Sequence, residues 1–176
     1  MGSHFSCSMT KKDEVNEEEG ILMKIEPLAV ANVDLLGPLV DEFISSQMLL
    51  SFRPDYQDAF RIWIQRLSKD PDAAIFVARD ESDIIGIAVG TIIENGPLVS
   101  PDRIGYIPML VVSSKGRRKG VGSKLWEMLK TWFSSKEVSE IQLYTAIDSD
   151  ESQNFWESFG FAVILERRRK WIGKKD

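Results

Sequence analysis

Apolar and polar positions alternate in ILMKIEPL, residues 21–28, with the period of two expected of a strand. The rhythm then changes. In NVDLLGPLVDEFISSQ, Leu35, Leu36, Leu39, Val40 and Phe43 recur at helical spacing, and RPDYQDAFRIWIQRLSKDP puts Phe60, Trp63, Ile64 and Leu67 on one side of a second helix closed by Pro71. AAIFVARDESDIIGIAVGTII predicts two strands joined by the polar RDESD, a hairpin. IGYIPMLVV is apolar almost throughout, as expected for a strand buried on both faces in the middle of a sheet.

Val121, Leu125, Met128, Leu129, Trp132 and Phe133 then mark a long amphipathic helix. VSEIQLYTAI predicts a further strand, and DESQNFWESF a short helix capped by Ser149 or Asp150. GFAVILERRRKWI predicts a last strand, with Gly160 turning the chain and Phe161 buried. Its basic run would alternate along an edge, where charge discourages aggregation. The order of elements predicts an α/β fold with a mixed, mostly antiparallel central sheet flanked by helices. One domain is expected over 21–176, preceded by a flexible acidic tail over 1–20 in which KKDEVNEEEG has little to bury.

Charge changes the picture at one place. The 176-residue chain carries a net −5, with five carboxylates against two lysines in the first twenty residues. From Arg103 through Trp126 there is no acidic residue, while Arg103, Lys115, Arg117, Arg118, Lys119 and Lys124 are all basic. A binder of extended nucleic acid usually carries a broad basic face and a high pI, whereas this pI is about 5.1. A compact anionic ligand suits the local patch better. The single Cys7 excludes an internal disulfide, and the lone His4 excludes histidine-rich metal sites and a serine–histidine triad within the fold. With no apolar run near the ~20 residues that span a bilayer, and no signal-peptide apolar region, a cytoplasmic protein is expected. The start MGSHFS fits a myristoylation pattern through Gly2 and Ser6, with Cys7 as a second acylation point, but MGSH also fits an expression-tag scar, and the scar or an unmodified tail is favoured.

The basic patch lies in KGRRKGVGSKLW, residues 115–126, where a buried strand runs into glycines that open a helix. Such a junction points unpaired N–H groups and the positive end of the helix dipole at one place, a setting for an anion. A P-loop is excluded, because five residues rather than four separate Gly116 from Gly122 and Ser123-Lys124 follow. The dinucleotide fingerprint is excluded because Leu125 stands where its third glycine belongs.

Arg117-x-x-Gly120-x-Gly122, after IPMLVV and before SKLWEMLKTWF, resembles the acetyl-CoA signature of the GNAT superfamily of N-acetyltransferases. FWESFGF, residues 155–161, is similar to the FYEKxGF segment of the same family. The resemblance covers about residues 21–172. It implies that the backbone from Arg117 through Arg118, Lys119, Gly120, Val121 and Gly122 to Ser123 cradles the pyrophosphate of acetyl-CoA. It implies that Leu110 and Val112, with Val111 between them, border the pantetheine arm, and that Leu110 N–H polarises the acetyl carbonyl.

The pattern also departs from the family. Trp156 stands where the family's acid tyrosine usually does, and an indole N–H cannot protonate a thiolate at neutral pH. Ser149 replaces a common pantetheine-binding asparagine. Tyr106 takes the position of the glutamate base that some members have, leaving Glu94 as the nearest carboxylate; exposed hairpin glutamates are ordinary, so an unspecialised Glu94 is the simpler reading. Phe52, Arg53 and Tyr56, in MLLSFRPDYQD, are the candidates for acceptor contact, or for packing against the cleft. Trp63, Trp126 and Trp132 read as core.

The resemblance implies direct acetyl transfer to a primary amine through a ternary complex, with a coenzyme-binding sensor as the alternative. The expected partner is an amine acceptor, a small molecule or a protein amine, with neither nucleic acid nor membrane. Oligomeric state is left open between a monomer and a homodimer.

Overall fold

The computed structural model describes residues 23–47, 49–81, 83–170 and 172. The amino-terminal tail and its acylation-like start lie outside them. Five strands form one sheet in chain order: β1 (Met23–Pro27), β2 (Ala73–Asp80), β3 (Asp83–Glu94), β4 (Arg103–Val112) and β5 (Ile141–Leu143). The first four pair antiparallel, and β5 joins β4 in parallel. Helices α1 (Gly37–Ser46) and α2 (Tyr56–Leu67) cover one face; α3 (Val121–Ser135) and α4 (Asp150–Glu157) cover the other. The mixed, mostly antiparallel sheet flanked by helices is the architecture that the sequence predicts.

The predicted first helix divides at Gly37-Pro38, into a 3₁₀ segment (Val30–Leu36) and α1. Proline at the start of α1 suits a position whose N–H has no helical acceptor. Leu36, Leu39, Val40 and Ile64 are buried against Ile75, Val77, Ile87, Val89 and Val111, so the apolar stripes of α1 and α2 meet the inner side chains of the sheet. On the other face Val121, Leu125, Leu129 and Phe133 of α3 press onto Phe76, Ala78, Ile85, Ala88 and Ile107. The approach is close at two points. A Cβ on Gly90 would stand 2.8 Å from Leu129 Cδ2, and one on Gly105 2.7 Å from Phe133 Cε1. Trp126 is buried, while Trp63 and Trp132 are half-buried beside the core.

β4 contains an irregularity that the apolar pattern does not announce. Its register against β3 passes from Val89↔Met109 to Thr91↔Tyr106, so three steps on β4 face two on β3. The extra residue reverses the facing of the strand: Ile107 packs under α3, whereas Met109, two positions on, packs with α1 and α2. Pro108 falls within the bulge, where the missing N–H breaks no regular ladder.

Among the described residues the predicted last strand does not form. Residues 162–170 are exposed and outside the sheet; Val163 is 86% and Leu165 79% accessible. β5 is only three residues long and offers little edge to extend. The segment instead makes side-chain contacts, Arg167 over the Tyr144 ring at 5.8 Å and Arg169 Nη2 donating to Leu49 O at 2.9 Å. The turn before it holds as expected: Gly160 has φ 86°, and half-buried Phe161 lies 5.3 Å from Trp126 and 5.1 Å from Trp156, ring centre to ring centre.

Candidate active site

β4 and β5 pair only over Gly105–Ile107 and Ile141–Leu143, yet β4 continues to Val112. Beyond Ile107 the strands part, and the side of β4 toward β5 lacks a strand partner. A cleft of about 390 Å³ occupies this gap. Leu110, Val111 and Val112 form one wall and Glu42, Phe43, Ser46 and Gln47 of α1 and its end another. Ser149, Glu151, Ser152, Phe155 and Trp156 close the side toward α4.

At one end of the cleft the chain leaves β4 and turns into α3. Ser113 O accepts from Gly116 N–H at 2.9 Å and Arg117 N–H at 3.1 Å, folding the turn back on itself. Gly120 has φ 73°, a left-handed conformation that glycine adopts without a Cβ penalty, and aims the chain into α3. Lys124 N–H, bonded to Gly120 O at 3.0 Å, is the first to find a helical acceptor, so the N–H groups of Val121, Gly122 and Ser123 have none within the helix. Gly122 is fitted tightly: a Cβ there would stand 3.2 Å from Phe155 Cε2. Three outward N–H groups, the positive end of the α3 dipole and a floor without side chains fit a pyrophosphate. The turn and the start of α3 thus offer an anionic group backbone donors rather than side chains.

The basic side chains of the turn are secondary. Arg117 N–H is already given to Ser113 O. Its guanidinium crosses the cleft mouth, donating from Nε to Val112 O at 3.3 Å and lying 3.9 Å from Glu42 and 3.6 Å from Glu151. Glu42 in turn accepts Ser114 N–H at 2.7 Å, tying α1 to the turn. Arg118, at φ 58°, is exposed at the edge of the cleft and belongs to its lining, whereas Lys119 is exposed and outside it.

Ser149 caps α4, its Oγ accepting Ser152 N–H at 3.3 Å, and so faces the cleft as a helix cap. Trp156, 7% exposed, belongs to an aromatic cluster with Trp126, Phe155 and Phe161, and it forms part of the cleft wall.

The structure separates Glu94 and Tyr106 from this assembly. Glu94 pairs with Arg103 across the far end of the β3–β4 ladder, roughly 20 Å along the strand from Leu110. Its side chain is 80% exposed and 3.8 Å from Arg103. At that distance it does not reach Leu110, in keeping with the unspecialised Glu94 that the sequence reading favours. Tyr106 sits four residues before Leu110, outside the cleft lining, with its ring 5.9 Å from that of Tyr144. Burial, with Tyr144 as a lesser cause, raises its pKa and keeps the phenol protonated at neutral pH.

The three acceptor candidates are largely engaged in structure. Arg53 holds Asp55 through two bonds of 2.6 and 2.7 Å; Tyr56 Oη donates to Asp41 Oδ1 at 2.6 Å, the interaction that chiefly raises its pKa. Phe52 packs edge-on against Phe43, one ring away from the cleft. The wall residues Glu42, Ser46 and Gln47 went unrecognised in the sequence. Glu42, a carboxylate next to the apolar stripe of α1, was the available signal.

Comparison with known proteins identifies the family of the chain. Residues 40–161 match the model of the acetyltransferase (GNAT) family. The chain is 25% identical over 139 residues to N-alpha-acetyltransferase 30 of Saccharomyces cerevisiae, covering 77% of this chain and 78% of that protein. Its fold is similar to that of a GCN5-related N-acetyltransferase from Ralstonia eutropha, with a TM-score of 0.69 and 20% identity over 86% of this chain and 99% of that one. It is also similar to glucosamine-6-phosphate N-acetyltransferase from Arabidopsis thaliana, with a TM-score of 0.63, 20% identity and the same coverage. With a parted strand pair leading to a helix-capped anion cradle, and a family match across most of the sheet and its helices, the chain belongs to the acetyltransferase (GNAT) family.

Proposed function

We propose that this protein transfers the acetyl group of acetyl-CoA directly to a primary amine within a ternary complex. The observation that carries the reading is the cleft between β4 and α4, continuous from Leu110 to the free N–H groups of α3. Bound along it, the coenzyme would have its pyrophosphate on the α3 terminus and its thioester near Leu110.

Leu110 N–H would donate to the carbonyl oxygen as negative charge develops there, the kind of contact that is stronger in the transition state than in the ground state. The neutral amine attacks the carbonyl carbon, a C–N bond forms, and the C–S bond breaks. The amine proton passes to solvent, and the coenzyme leaves as its thiolate. Trp156 supplies no proton, because an indole N–H is too weak an acid. Alignment of amine and thioester supplies much of the acceleration.

Acceptor identity is best approached through the relatives. The names of the yeast and plant proteins point to an α-amine and an amino-sugar phosphate, so both belong in a first screen. Calorimetric titration of acetyl-CoA into the protein and into Gly122→Glu tests the coenzyme site, since the added carboxylate should occupy and repel the pyrophosphate position. Tight binding by the wild type and none by the variant, followed by amine-dependent thiol release, is the expected result. Binding without thiol release for any amine would replace the transferase reading with a coenzyme sensor.

A further inference from the structure

Arg167, stacked over Tyr144, lies outside the coenzyme cleft and is unused by the chemistry above. We infer that Arg167 and the Tyr106–Tyr144 pair form an acceptor-recognition site for an amine carried close to an anionic group, a carboxylate or a phosphate. The inference rests on the acetyltransferase reading for its placement at the acceptor end.

Two paths lead from the cleft to this place. Along β4, the strand runs back from Leu110 through the bulge to Tyr106, away from the α3 cradle. Ile107 faces α3, so its neighbour Tyr106 faces the α1–α2 side of the sheet. Tyr144 follows the last residue of β5, where β4 and β5 begin to part, and meets Tyr106 edge to face at 5.9 Å. The second path leaves α1: Ser46 and Gln47 line the cleft, and Leu49 just beyond them receives Arg169. The carboxy-terminal segment thus spans from Tyr144 to the loop after α1, and carries Arg167 over the Tyr144 ring of the aromatic pair.

The charges there favour an anion. The neighbouring Arg168 is paired with Glu166 at 2.8 Å. Among the described residues no carboxylate lies within ion-pair distance of Arg167. Its guanidinium is exposed, held by the Tyr144 face, and presents a fork that matches carboxylate or phosphate oxygens. The protonated Tyr106 phenol would be a second donor. A cationic group next to the acceptor amine would be repelled at the same place.

The test is acceptor binding to the CoA-saturated full chain, read by calorimetry so that it does not depend on turnover. Ala-Glu, Ala-Gln and Ala-Lys amides test the carboxylate, and glucosamine-6-phosphate against glucosamine tests the phosphate. In at least one series the anionic member is expected to bind about tenfold more tightly than the neutral one, equivalent to one strong charge-assisted contact. In Arg167→Glu that preference should invert while CoA affinity stays unchanged; Arg167→Gln should abolish it. The series that shows the effect identifies the source of the anion. Equal or absent binding across both series, or a preference that survives Arg167→Glu, overturns the inference. Anion preference without amine-dependent thiol release removes the transferase reading alone, whereas turnover without anion preference removes this inference alone.

Discussion

Gly122 of α3 and Phe155 of α4 meet in the lining of the cleft, so closely that a single added carbon at 122 would sit 3.2 Å from the ring. In the Gly122→Ala variant Phe155, which also lines the cleft, must give way by a few tenths of an ångström, reshaping the wall where the proposed coenzyme would lie. Its affinity for acetyl-CoA is expected to fall about tenfold, with stability nearly unchanged, because half-buried Phe155 has room to give. Parallel calorimetry and thermal unfolding check both halves; undiminished affinity would take this contact out of the coenzyme site.

A second glycine predicts the opposite separation. At Gly105 the obstacle is Phe133, buried and hemmed in by α3, with Ile141 Cγ1 only 3.1 Å from the added carbon. Overpacking of this kind typically costs 1–3 kcal/mol, and a Gly105→Ala loss of about 2 kcal/mol is expected in urea denaturation. Coenzyme affinity should be maintained, since position 105 lies outside the cleft lining.

Arg118 distinguishes a backbone cradle from a side-chain one. The residue holds φ 58° in the turn, where glycine is comfortable and a long side chain is not. Arg118→Gly is expected to retain acetyl-CoA affinity within about threefold, a change of under 1 kcal/mol. A much larger loss in calorimetry would show that the guanidinium itself holds the phosphates.

The acid limb of stability has an assignable contributor. Lys24 first, and Arg79 with it, hold the Glu26 carboxyl below the ordinary carboxylate range. A depressed folded-state pKa contributes stability that is fully present above the unfolded value, about 4.3, and is lost as pH falls through the folded value. Between those values Glu26→Gln should flatten the fall of melting temperature with acid. An unchanged slope would show that the pair at the β1–β2 edge contributes nothing measurable.

How far the chain could be read in advance depends on the range of the interactions involved. The stripes Leu35–Phe43 and Val121–Phe133 gave their helices because each buries a face that is periodic in sequence. The turn from Lys115 to Ser123 was legible because glycine spacing and backbone donors are local properties. The place of Glu94 was not legible, because it depends on how β3 and β4 register, which no local pattern fixes. Pro108, which cannot donate to a ladder, is the local sign of the bulge. The strand expected after Phe161 failed for a related reason: alternation specifies a face, but a strand also needs an edge, and β5 stops after Leu143. Glu42 escaped notice because its importance comes from Ser114 and Arg117, distant in sequence and adjacent only in the fold.

The short β5 also sets a limit on improving this protein. Any set of changes that let β5 follow β4 as far as Val112 would add ladder hydrogen bonds and raise thermal stability, while sealing the gap in which the proposed thioester would lie. Stability and turnover are therefore opposed at this seam, and a search for hardier variants that scores melting temperature alone would be drawn toward an inert, fully zipped sheet.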